Sequence, residues 1–161
     1  MRLTAFTDYA LRVLMYLAAR PDTRATIVEI ARAFDIKENH LTKVVHFLGK
    51  GGWVTTTRGK GGGLQLGRPP RLIVIGDVVR EAEGAVMPAE CFSESGGNCR
   101  LSPVCRLAGA LQDAVDAFYL TLDGCTLQDV TGNRNELAEL LFVRAPVRGS
   151  GRGRARLTPP R

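Results

Sequence analysis

The stretch Thr26-Ile-Val-Glu-Ile-Ala-Arg-Ala-Phe-Asp-Ile-Lys-Glu-Asn-His-Leu-Thr-Lys-Val-Val-His-Phe-Leu-Gly-Lys-Gly-Gly-Trp-Val-Thr-Thr-Thr-Arg-Gly-Lys-Gly-Gly-Gly63 decides the fold. It opens with a capping box, Thr26 at the N-cap and Glu29 at N3, each satisfying a backbone N–H left over at a helix start. That predicts a helix through about Phe34. Asp35-Ile36 makes a tight turn, and a longer helix runs from about Lys37 to Gly49. Its Leu41, Val44, Val45 and Leu48 fall at the spacing of one buried face, and Gly51-Gly52 ends it. Two short helices joined so tightly suggest a helix-turn-helix, whose second helix enters the DNA major groove by its N-terminal residues. Here these are Lys37, Glu38, Asn39 and His40, with Lys43 one turn on. Asn pairs with adenine, and Lys reaches guanine or phosphate. Thr26 joins this candidate DNA-contacting set. A helical hairpin with a solvated polar face fits the same pattern.

The segment after Gly52 favours DNA. Trp53-Val-Thr-Thr-Thr57 is strand-like because β-branched side chains suit a pleated surface. Arg58-Gly-Lys-Gly-Gly-Gly63 is a tight basic turn, and Leu64-Gln-Leu66 returns as a second strand. The hairpin is a wing whose tip presents Arg58, Gly59 and Lys60 to phosphates or a minor groove. Nucleotide loops are a poorer match: no Ser or Thr follows a Gly-Lys pair, and the GxGxxG spacing fails. Upstream, residues 7–19 read as a helix with Thr7 as N-cap. Leu11, Leu14, Met15 and Ala18 form its stripe, and Pro21 lies beyond its end.

The chain of 161 residues has a net charge of +6, and the charge is unevenly placed. Residues 1–71 hold 12 Lys/Arg against 5 Asp/Glu, residues 72–143 hold 4 against 11, and residues 144–161 hold 6 arginines and no acid. The expected organisation is mainly α with a small β-wing. Residues 1–71 form a winged helix-turn-helix DNA-binding domain. Residues 72–143 form a cluster-binding loop and dimerisation helices, and residues 144–161 a disordered Arg-rich tail. There is no run of eighteen apolar residues and no signal-peptide core, so a cytoplasmic protein is expected. Among enzymes, no nucleophile–base constellation or nucleotide loop fits.

In the acidic part, Ile75 to Glu83 reads as a helix ended by Gly84. Beyond it lies Cys91-Phe-Ser-Glu-Ser-Gly-Gly-Asn-Cys99-Arg-Leu-Ser-Pro-Val-Cys105, with spacing C-x7-C-x5-C. Soft thiolates in a Gly/Ser/Asn-rich loop suit an iron–sulfur cluster or zinc. A disulfide plus an odd thiol, or buried apolar cysteines, are the alternatives. Ser102 as N-cap and Pro103 at the first helical position predict a helix from Pro103 to about Leu122, about 30 Å long. Cys105 would then sit in the first turn, where the helix dipole favours a thiolate. The stripe Val104, Leu107, Leu111, Val115, Phe118 and Leu122 fits a dimer seam. Cys125 precedes another helix start at Thr126 and reads as a small structural residue.

Three motifs together resemble the Rrf-two superfamily of bacterial winged-helix regulators over about residues 1–142. They are Met1-Arg-Leu-Thr-Ala-Phe-Thr-Asp8-Tyr-Ala-Leu-Arg12, Arg58-Gly-Lys-Gly-Gly-Gly-Leu64 and Cys99-Arg-Leu-Ser-Pro-Val-Cys105. Within it the chain is similar to the nitric-oxide-sensing repressors. The resemblance implies a homodimer that binds palindromic operator DNA and carries one iron–sulfur cluster per protomer, 4Fe-4S in preference to 2Fe-2S. It implies Cys91, Cys99 and Cys105 as metal ligands, with Asp8 from the partner protomer as the fourth. It further implies that nitric oxide releases the operator of nitric oxide detoxification genes. A sister type, the regulators of iron–sulfur biogenesis, has a histidine three residues after the last cysteine, where this chain has Ala108. The first cysteine spacing is longer here than in the nitric-oxide-sensing members.

Overall fold

The computed structural model describes residues 2–84, 88–92 and 99–142. The middle of the cysteine loop and the Arg-rich tail, for which disorder is expected, lie outside the described residues. Among those described, the helices are α1 (Ala5–Ala19), α2 (Ile27–Phe34), α3 (Glu38–Lys50), α4 (Ile75–Glu83), α5 (Arg106–Asp123), α6 (Leu127–Val130) and α7 (Arg134–Phe142). One antiparallel hairpin, β1 (Val54–Thr57) and β2 (Gly63–Leu66), lies between α3 and α4, with Val54 opposite Leu66 and Thr57 opposite Gly63. The fold is thus mainly α with a small wing, as the sequence predicts.

The helix-turn-helix forms for the reasons visible in its residues. Thr26 and Glu29 make both halves of the capping box at the head of α2. At its foot Asp35 adopts φ 52°, ψ 47°, the left-handed conformation that a short polar side chain tolerates. The Asp35 and Ile36 N–H groups both turn back to the Ala31 carbonyl, so α3 starts soon after α2 ends. Ile36 is buried, pinning the turn to the core. Lys37 is the N-cap of α3 rather than its first residue.

Two helix starts differ from the sequence expectation. The first helix begins at Ala5 with Thr4 as N-cap, and the Thr4 hydroxyl accepts the Thr7 N–H at 3.3 Å. Thr7 is inside the helix and fully buried. The two threonines are equivalent as capping signals, and Ala5-Phe6 is compatible with helix, so the helix starts earlier. At the other site Ser102-Pro103-Val104 makes only a 3-10 turn. Pro103 has no N–H to donate and fixes its own φ, and the backbone at Cys105 is extended (φ −79°, ψ 103°), so α5 starts afresh at Arg106 with Cys105 as its N-cap.

At the centre lies α1. Thr7, Ala10, Val13, Leu14, Tyr16, Leu17, Ala18 and Ala19 are all buried, more than one stripe, because α3, α4, α6, α7 and β2 all pack on it. Leu11 and Met15, expected on the buried stripe, are only half-buried against the same core. The core is continuous from Ala10 through Leu41, Val44 and Leu48 of α3 to Ile73, Val78 and Val79, and reaches Leu127 of α6. The expected stripe divides: Phe118 and Leu122 of α5 pack on this core, whereas Val104, in the 3-10 turn before α5, is 80% and Leu107 64% exposed.

One core spanning both halves has a measurable consequence. Leu127→Ala removes a fully buried side chain and should lower stability by about 2–5 kcal/mol. The loss should appear in urea unfolding followed by fluorescence of Trp53, the chain's one tryptophan, which lies far from Leu127 in sequence. An unshifted Trp53 transition would mean that the two halves unfold separately.

Candidate nucleic-acid interface and cysteine site

The residues expected to contact DNA emerge on two surfaces. Lys37, Asn39, His40 and Lys43 are all exposed around the first turns of α3. Opposite them on α3, Leu41, Val44, Val45 and Leu48 are buried, which fixes the helix's rotation and leaves the polar face to solvent. Arg58, Gly59 and Lys60 are exposed at the wing tip. Gly59 (φ 92°) and Gly61 (φ 78°) take positive φ, and the Gly62 N–H closes the turn on the Gly59 carbonyl at 2.9 Å. Thr26 is exposed, but its hydroxyl is held in the capping box, donating to Glu29 at 2.9 Å and accepting the Glu29 N–H at 3.2 Å. It organises the head of α2.

Two arginines that sequence patterning does not single out hold the wing. The Arg24 guanidinium donates to the Gly61 carbonyl at 3.1 Å and to the Gln65 side chain at 3.2 Å. Beside it Ala25 and Leu64 exchange both backbone bonds, at 3.0 and 2.7 Å. Arg68 donates to the carbonyls of Gly51 and Gly52 at 2.7 and 3.3 Å, closing the wing's base. Only long-range placement reveals these roles. Arg68 lies just after the hairpin in sequence, whereas Arg24 precedes α2 and gives no local signal of its role.

An aromatic line joins α1 to this surface. Phe6 meets Phe47 of α3 edge-on at 5.2 Å, and Phe47 meets Trp53 at the wing base at 5.6 Å. The ring of Tyr9 lies 6.2 Å from that of His40, at the reading end of α3. Between Phe6 and Tyr9 is Asp8, ion-paired with Arg12 at 2.8 Å. It borders an open depression of about 460 Å³ with Arg2, Leu3, Tyr9 and Phe34.

All four cysteines are free thiols in this structure. Cys91 and Cys105 are half-buried, and Cys99 is exposed. Cys105 caps α5, where unsatisfied backbone N–H groups point outward. Cys125 packs against the core, and its carbonyl accepts the Ile75 N–H at 2.9 Å, a structural position as expected. Among the described residues no three His, Cys, Asp or Glu side chains come together as a metal-binding group. Asp8 is engaged with Arg12 and not with its own chain's cysteines. The donor chemistry, three free thiols of which Cys105 stands at the start of α5, fits a soft metal or cluster. The two histidines, His40 and His46, are both exposed on α3.

Comparison with known proteins agrees with this geometry. The chain is 49% identical over 145 residues to the HTH-type transcriptional regulator NsrR of Geobacillus kaustophilus, covering 89% of this chain and 99% of the relative. It is 45% identical to NsrR of Bacillus subtilis over the same shares. Among solved structures, CymR (YrzC), the global cysteine regulator of B. subtilis, superimposes with a TM-score of 0.64 at 28% identity. That match covers 83% of this chain and 98% of the other. T. potens IscR shares the fold, with a TM-score of 0.66 at 24% identity over 85% of this chain and 90% of the other. The relatives are transcriptional regulators, a role carried out on DNA and without catalysis. Residues 3–133 match the pattern described as Rrf2, iron-dependent transcriptional regulator, and the chain belongs to that family.

Proposed function

We propose that the chain is a homodimeric repressor that senses nitric oxide through an iron–sulfur cluster and releases palindromic operator DNA when it does so. The observation that carries the reading is the set of free thiols in the segment that leads into α5, Cys91, Cys99 and Cys105, the last of them the N-cap of that helix, whose apolar residues Val104 and Leu107 are exposed at that end. Three thiols leave one coordination position, and Ala108 cannot fill it. Asp8 from the partner protomer fills it in this proposal, and its freedom from its own chain's cysteines is compatible with that role. When bound, the cluster, 4Fe-4S in preference to 2Fe-2S and one per protomer, supplies a centre that reacts with nitric oxide.

The chain's own residues supply the rest. Val104, Leu107, Leu111 and Val115 meet their counterparts across the two-fold axis, which fixes the separation of the reading heads. In each protomer Lys37, Asn39, His40 and Lys43 read the major groove, while Arg58 and Lys60 grip phosphates beside Gly59. Residues 1–71 thus form the DNA-reading part and residues 72–143 the sensing and dimerising part. The carboxylate of Asp8 is a hard donor among soft thiolates, so it would hold the cluster less firmly than the cysteines would. Because it extends from α1, which packs on α3, losing it alters the support of the reading head. Anaerobic purification with iron and sulfide analysis tests the whole reading. About four of each per chain is the expected result, and colourless, zinc-containing protein would refute it.

Each of Cys91→Ala, Cys99→Ala and Cys105→Ala should abolish visible absorption, whereas Cys125→Ala should retain it. The reverse pattern for Cys99 and Cys125 would overturn the ligand assignment.

Arg58→Ala should weaken operator binding and reduce the salt slope by about 0.9, the contribution of one phosphate contact. Asn39→Ala should instead relax base preference by about 1–3 kcal/mol at one position. Fluorescence anisotropy across a salt series separates the two effects. Unchanged binding by Arg58→Ala at every salt concentration would refute the wing assignment.

Asp8→Ala should keep visible absorption but lose it sooner in air, and Asp8→Cys should hold it longer and respond to nitric oxide more slowly. Absorbance and operator binding followed in one nitric oxide titration measure both properties. Parent-like behaviour of both variants would remove Asp8 from the ligand set.

A further inference from the structure

Glu83 is the last residue of α4, where a carboxylate opposes the helix dipole. Local helix stability therefore does not select an acid there. Its partners lie 79 positions away: Glu83 Oε1 accepts the Thr4 N–H at 2.8 Å and the Thr4 hydroxyl at 3.0 Å. Thr4 is the N-cap of α1, so one carboxylate bridges the negative end of α4 and the positive end of α1. With its hydrogen committed to Glu83, the Thr4 oxygen is left to accept the Thr7 N–H at 3.3 Å. The Thr7 hydroxyl, fully buried, stands 3.1 Å from it. Burial raises the Glu83 carboxyl, but hydrogen bonds from Thr7 and Thr4 outweigh it and hold the group below its ordinary range.

One turn back on the same helix, Arg80 forks onto Asp123 at the end of α5, at 2.9 and 2.5 Å, and stacks 4.6 Å over Tyr119. Gly76 allows this close approach, since a Cβ there would lie 1.9 Å from an Asp123 carboxylate oxygen. Thus α4 is fastened to α1, whose first turn carries Asp8, and to the C-terminal end of α5, a continuous helix about 27 Å long that has Cys105 as N-cap at its other end. In sequence Cys91 lies a short way beyond Glu83.

We propose that Glu83 is the positioning residue that couples the cysteine site to the DNA-reading head within one chain, with Arg80 anchoring the same helix to α5. The inference rests on the cluster-controlled DNA binding proposed above. When the chain around Cys91 and Cys105 shifts, α4 shifts with it, and Glu83 moves the capped first turn of α1 as a body. That turn bears on α3 through Phe6 and Phe47 and through Tyr9 and His40. It also sets where Asp8 stands for the partner. The coupling needs no new contact, because the hydrogen bonds that cap α1 also transmit the shift.

The test uses the full chain as parent, Glu83→Ala and Glu83→Gln. Operator affinity is measured with and without the cluster, alongside iron and sulfide content and amide hydrogen exchange at Thr7 and Asp8. Glu83→Ala should load iron and sulfide like the parent. Its exchange at those amides should be at least about tenfold faster even without the cluster. Its loaded-to-unloaded affinity ratio should fall about tenfold, within the usual range of allosteric coupling. Glu83→Gln, whose amide oxygen still accepts from Thr4, should recover most of both. A parent-like affinity ratio in Glu83→Ala overturns the coupling, whatever the exchange rates do, and unchanged exchange removes the contact on which it depends. A parent with no difference between loaded and unloaded forms fails the underlying functional reading instead.

Discussion

The burial of α1 on several sides is the constraint to which the rest of the structure answers. A helix that packs against α3, α4, α6, α7 and β2 at once has little room for long side chains. Among its buried positions Ala10, Ala18 and Ala19 are small. Interiors at crystal-like density do not deform smoothly, so a helix held in this way moves as a rigid body or hardly at all. Its N-terminal turn is the part with the most exposure, and that turn is fastened by hydrogen bonds from Thr4 to Glu83 rather than by packing alone. The same helix therefore serves as the floor of the reading head and as a mount for Asp8.

How much of this was legible in the sequence depended on whether the cause was local. The capping box at Thr26, the polar turn residue at Asp35 and the Gly-rich hairpin at 58–63 act over three or four residues, and each appears where expected. Thr4 and Thr7 are equal candidates by that reasoning. The longer helix prevailed because Thr7 fills a buried position and Glu83, distant in sequence, completes the cap at Thr4. Ser102-Pro103 failed as the start of α5 for the opposite reason: the signal was present, but the extended backbone at Cys105 interrupted it. The rotation of α1 was misread because a stripe is visible only when one face is buried, and this helix has several.

The candidate site divides similarly. Residues whose chemistry is intrinsic, the three spaced thiols and the bases of the wing tip, stood out from composition alone. Residues whose importance is positional did not. Arg24 and Arg68 read as ordinary surface charges until the fold sets them against the carbonyls of Gly61, Gly51 and Gly52. Glu83 reads as one more acid in an acidic segment. Thr26, expected among the DNA-contacting residues, has its hydroxyl in the capping box with Glu29.

Charge and core also divide the chain differently, and the difference bears on regulation. Basic residues dominate before residue 72 and acidic ones over residues 72–143, yet the core crosses that point without a break, from α1 through Ile73, Val78 and Val79 to Leu127. Separate bodies on a flexible hinge would leave the reading heads free to adjust their spacing, and a ligand would gain little control over them. A shared core transmits small displacements because its packing has few alternative arrangements. A ligand still shifts such a protein only by the difference in its affinity for the two arrangements. The proposed coordination by Asp8 supplies that difference in a direct form, since a bond from one chain's α1 to the partner's thiol site exists in one arrangement and not in the other. The exposed Val104 and Leu107 then have a second consequence beyond association. In the proposed dimer they hold the two α5 helices together while the bond is broken, so the dimer can release DNA without dissociating.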